Sequence, residues 1–125
     1  MARRGSHLFG VALLVSLVES AVVLHVWVTC DIGGINATVS LLSVVLFGFP
    51  ALLVAHMVVL GLVRWIAGRK RRRSLGVLLV QTLLVLAGAF VVLTVVATPD
   101  EPSRTCVDGV PEWWPEWLPH QSHGA

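Results

Sequence analysis

Four side chains of this sequence can hold a proton or a strong hydrogen bond inside apolar surroundings: Glu19, His25, His56 and Gln81, the last followed by Thr82. Each is embedded in a long run of Val, Leu and Ala. Ionisable groups are costly in such runs, so each is expected to face the interior of a helix bundle, where a partner can satisfy it. Depth ranks the partners. Counted at ~1.5 Å per residue from the basic ends of the runs, Glu19 lies ~17 Å deep, His56 ~12 Å, Gln81 ~9 Å and His25 ~26 Å. Glu19 and His56 thus differ by about one helical turn and are expected to meet, in a contact that Gln81 would extend. Ser16-x-x-x-Ser20 and Ala51-x-x-x-Ala55 flank the two residues, and small side chains at this spacing let helices approach closely. Such a contact is either a buried polar clasp that sets helix register or a protonatable relay for ions or protons, and the residues favour the clasp.

Other chemistry finds little support. A haem iron needs both histidines at one depth, and His25 and His56 differ by ~13 Å, which argues against haem within one chain. His120 and His123 have no further ligand beside them, so no metal site is expected. The chain has no H-E-x-x-H, no G-x-S-x-G and no phosphate-cradling loop; no enzymatic activity and no cofactor are expected.

Cys30 and Cys106 are the two cysteines of the chain. Both fall on the same side of the membrane in the topology derived below, and an oxidising outer compartment permits a disulfide between them. The bridge would tie the C-terminal tail to the end of the first apolar run. A redox-active role has no C-x-x-C motif and no basic neighbour to support it.

The tail, 98–125, is a different material from the rest. It carries five of the six prolines and a short repeat, Pro111-Glu112-Trp113 and Pro115-Glu116-Trp117. With Trp114 these indoles read either as an anchor lying in the outer leaflet or as a docking motif for a partner. In a helical turn, Trp113 and Trp117 would share one face, but the prolines limit any helix to about one turn.

The elements that must position these groups follow from composition. Apolar residues make up 56% of the chain and charged residues 13%, against about 25% charged in a soluble domain. Leu8–Val28, Leu41–Val63 and Leu75–Ala97 each reach the ~20 apolar residues that span a bilayer core. The fold class expected is therefore an all-α integral membrane protein of three transmembrane helices, with a short arm at 1–7, an outer loop at 29–40 broken by Gly33-Gly34, a basic loop at 64–74 and the tail. Phe47-Gly48-Phe49-Pro50 interrupts the second run, and a kink is expected there because proline removes a donor and clashes with the preceding turn.

Eight of the nine basic residues sort to one side. Arg3 and Arg4 precede the first run, and Arg64, Arg69, Lys70, Arg71, Arg72 and Arg73 separate the second from the third. The bias places the N-terminus inside and the C-terminus outside. The RKRRR run is accordingly a topology signal that also meets anionic lipid heads, and no nucleic-acid partner is expected. All five tryptophans fall near predicted membrane interfaces, where indoles are favoured. An Arg-rich, Lys-poor composition heavy in Val, Leu and Ala suggests a bacterial cytoplasmic membrane. The function expected is an accessory or interaction subunit of a larger membrane assembly, partnered by a larger membrane protein or by its own copies. The alternative is an oligomeric proton or ion conductor using Glu19 and His56.

Overall fold

The computed structural model describes residues 3–31, 36–71, 74–97, 105–106 and 110–120, with the backbone alone at 3–6, 37 and 69–71. The described residues are helical apart from the tail and short connections. Helix α1 spans Arg3–Thr29, α2 Ala37–Ser43, α3 Phe49–Arg71 and α4 Leu75–Val91. A π-helical turn at Val44–Gly48 joins α2 to α3, and a second at Val92–Val96 extends α4. Three stretches are long and apolar enough to cross a membrane: His7–Thr29, Thr38–Gly68 and Leu75–Val96.

Local chemistry explains the boundaries. Asn36 caps α2, its side-chain oxygen accepting from the Val39 N–H at 3.0 Å, and Ser74 caps α4 in the same way from Val77 at 3.3 Å. The wide turn at Val44–Gly48 falls where the sequence places a kink. Pro50 has no N–H and cannot donate to Leu46, and the ladder widens just before it, with the Phe49 N–H donating to Val44 five residues back. The second wide turn has no such proline within it. There the Ala97 N–H reaches Val92 at 3.0 Å, and the Thr94 hydroxyl donates to Phe90 at 2.9 Å, occupying a carbonyl of the preceding turn.

At the basic end, helix runs past Val63, where the apolar run ends, into the segment expected as a loop. Arg and Lys are good helix formers, and the backbone must stay internally bonded until it has left the hydrocarbon. Gly68 breaks the conformation at φ 70°, ψ 171°, a region open essentially to glycine alone. Arg69, Lys70 and Arg71 continue the helical backbone beyond it. Arg72 and Arg73, like Gly33-Gly34, lie outside the described residues.

α3 packs against both α1 and α4, whereas α1 meets the third span chiefly through Val92–Val96. The apolar core sits at that end, where Val23 and Val26 of α1 and Cys30 just after it close on Val44, Ala97, Trp114 and Leu118. Toward the middle of the spans the buried residues turn polar: Ser16, Glu19, Ser20, His56 and Gln81. The bundle is thus apolar around the two cysteines and seamed with polar groups in the membrane interior.

Candidate functional site

Two constellations stand out. The first is intramembrane. Glu19 on α1 and His56 on α3 are 3% and 7% exposed, and Glu19 Oε1 lies 3.5 Å from His56 Nε2. The small residues of α1 beside Glu19, Ser16 and Ser20, are buried, whereas Ala51 and Ala55 of α3 are exposed. The other imidazole nitrogen, Nδ1, stands 2.7 Å from the Leu52 carbonyl and 3.4 Å from Ser16 Oγ. A carbonyl only accepts, so Nδ1 carries a hydrogen and donates it to Leu52. The tautomer follows from that contact: Nε2 is the nitrogen turned to the carboxyl group. The Nε2–Oε1 pair is an ion-pair-range contact at 3.5 Å that does not close into a hydrogen bond. Neither Glu19 oxygen accepts a hydrogen bond from any other group, and Ser20 Oγ is also without a partner.

Gln81 is buried but does not join the pair. Its Nε2 donates to the Leu60 carbonyl at 3.3 Å, one turn along α3 from His56. Side-chain depth alone does not reveal this, because the carbonyl it finds carries no sequence signal. Ser16, singled out only as a small residue, touches the imidazole. His25 and Thr82 depart from the expectation that every polar group in the runs faces the interior. Thr82 satisfies itself on the Leu78 carbonyl at 2.9 Å. His25 is exposed on α1 and stacks on Trp113, with ring centroids 5.3 Å apart.

The second constellation is the tail. Cys30 and Cys106 are at disulfide-bonding distance, with Cα atoms 5.1 Å apart. Beside them the Thr105 hydroxyl donates to the Thr29 carbonyl at 2.8 Å, satisfying an orphan acceptor at the end of α1. The Pro-Glu-Trp repeat forms two successive reverse turns rather than a helical turn. Trp114 N–H donates to the Pro111 carbonyl at 2.9 Å, and Leu118 N–H to that of Pro115 at 3.0 Å. Proline at 115 cannot donate, so a continuous helical ladder is interrupted and each unit closes on itself. The fourth residue of each unit, Trp114 or Leu118, is buried against the core, and the third, Trp113 or Trp117, is 50% or 77% exposed. Trp114 is locked further by its indole N–H, which donates to the Leu118 carbonyl at 3.1 Å. Trp27 makes the matching link within the bundle, donating to the Val96 carbonyl at 3.0 Å.

Of the basic cluster, Arg64 is partly buried at the end of the second span, and Trp65 beside it is exposed. Among the described residues no group of three His, Cys, Asp or Glu side chains is placed to hold a metal ion. Comparison of the chain with protein-family models, with curated proteins and with solved structures finds no match.

Proposed function

We propose that the protein is a small accessory subunit of a larger assembly in a bacterial plasma membrane, with no catalysis of its own. In this reading the N-terminus and basic loop are inside, the tail is outside, and the second span bends at Leu46–Pro50. The observation that carries the reading is the two-sided tail. Trp114 and Leu118 are spent on fixing it to the bundle, which leaves Trp117, and the open half of Trp113 as it stacks on His25, presented outward on a support tied to the end of α1. Exposed, pre-positioned indoles are the residues that most often anchor protein contacts, because they bury a large area with little loss of side-chain freedom. The Glu19–His56 pair then acts as the polar clasp that fixes α1 against α3.

A photo-crosslinking residue at position 117, activated in intact membranes, tests this. The proposal expects a discrete protein adduct that disappears in Trp113→Ala. Lipid adducts alone would make the tail an interfacial anchor and overturn the docking role.

A second reading rests on the Glu19–His56 geometry, which sets two ionisable groups 3.5 Å apart inside the bundle. It makes the protein a proton or ion conductor. Three spans enclose no pathway by themselves, so several copies would assemble around it. Proteoliposome flux that Glu19→Gln abolishes would support this reading, and flux unchanged by that substitution would end it.

A further inference from the structure

The basic end of the bundle holds a cation without a counter-ion. Arg64 is partly buried, and its Nε–H is shielded from solvent with no acceptor. The described residues offer it no carboxylate. Of the seven acidic residues, Glu19 faces His56. Asp31, Glu112 and Glu116 lie at the opposite end, with Cys30 and the docked tail. A guanidinium N–H removed from water calls for an anionic partner, and that partner comes from outside the chain.

A cleft of about 370 Å³ opens beside Arg64. It exists because α1 and the third span converge at Val92–Val96 and leave a gap over α3 toward the other end. Val11 and Val15 of α1 face Leu78 and Val85 of α4 across it, while Arg64 and His7 supply its polar end. Arg64 lies four residues before Gly68, where the second span ends, and His7 begins the first span. The polar end is therefore at headgroup level and the apolar walls run toward the bilayer interior. Gln81 and Thr82 also line the slot, but their polar groups are engaged by the Leu60 and Leu78 carbonyls, so a slot mostly apolar along its length and cationic at its mouth is complementary to an amphiphile with an anionic head. In a bilayer that amphiphile is a phospholipid.

We propose that this cleft binds one anionic phospholipid, its phosphodiester on Arg64 and the upper part of one acyl chain between α1 and α4. The planar guanidinium suits the phosphate, to which it can donate two parallel hydrogen bonds. The cleft volume is within the ~300–1,000 Å³ of ordinary ligand sites. The site is distinct from the diffuse attraction that the basic residues at 69–73 exert on any anionic surface.

Native mass spectrometry of the full chain, reconstituted in parallel with phosphatidylglycerol and with phosphatidylcholine, tests the site. The expected result is one retained phosphatidylglycerol per chain, held at least tenfold more tightly than phosphatidylcholine, which offers Arg64 the same phosphodiester but sets a choline cation beside it as a like charge. Arg64→Gln loses that preference, Arg64→Lys keeps most of it, and Arg71→Gln/Arg72→Gln/Arg73→Gln leaves the single tight lipid in place. Equal retention of the two lipids by the unaltered protein overturns the proposal without recourse to any variant. So does a tight lipid that survives Arg64→Gln and is lost from the triple variant, because it then belongs to the basic loop.

Discussion

Removing the link between Cys30 and Cys106 by Cys30→Ala/Cys106→Ala is expected to release the tail while leaving the three helices packed. The size of the effect can be bracketed. Treated as a free chain closed over a separation of 76 residues, the link contributes about 4.5 kcal/mol through loop entropy. The spans stay inserted when the tail lets go, so the segment truly freed is the ~9 residues from 98 to 106, for which the same relation yields roughly 2.6 kcal/mol. Against this, burial of Trp114 and Leu118 contributes about 1.5–3 kcal/mol each. The link is thus comparable with the burial of the two side chains together, and those contacts alone are not expected to keep the tail docked. Hydrogen exchange of the intact protein in nanodiscs reads this directly. The Trp114 and Leu118 amides, bonded to Pro111 and Pro115, are the reporters. Their protection is expected to fall by nearly a hundredfold or more, the equivalent of the lower bound, while amides in the middle of α1 and α3 are unchanged. Retained protection in the double variant would refute the reasoning and show that packing dominates.

Three further outcomes follow from the same geometry. Glu19→Ala leaves Nε2 of a buried imidazole facing nothing and is expected to destabilise the bundle by about 1–3 kcal/mol in reversible unfolding from mixed micelles, whereas Glu19→Gln, whose amide can donate to Nε2, costs less; equal losses would mean the pair is not in contact. Gly68→Ala meets no neighbouring atom but must adopt a glycine-only backbone conformation, so a loss of about 1–3 kcal/mol is expected in the same unfolding assay, and Gly61→Ala, on regular helix with equally open space, serves as the neutral control. Trp27→Phe keeps the ring and removes the indole donor to Val96; a loss of roughly 0.6–1.7 kcal/mol, the range of hydrogen bonds between membrane helices, is expected there.

The sequence makes the scaffold readable because membrane spans obey one dominant constraint. An apolar run of the right length must be helical when no water is present to satisfy its backbone, and the three helices lie where hydropathy places them. The cysteine pair is readable for a similar reason, since two thiols on one face leave a single intramolecular partner. Rise per residue brings Glu19 and His56 to similar depths, but it says nothing of rotation about the helix axis. That is why Gln81, at a nearby depth, turns instead to Leu60, and why His25 lies on the outside against Trp113. The tail was harder for a different reason. Its period of four suits a helix, and only proline's missing N–H, taken together with two turn bonds closing inside each unit, divides it into two reverse turns with Trp114 and Leu118 inward. The wide turn at Val92–Val96 carries no proline and had no sequence signal at all.

The central claim, that the outward indoles dock a partner, meets its most direct test in native mass spectrometry of particles cut from the membrane with their own lipid. The expected result is a stoichiometric complex with a larger membrane protein that Trp113→Ala/Trp117→Ala dissociates. Full retention of that partner by the double variant, or a homo-oligomer that carries no other protein, would contradict it.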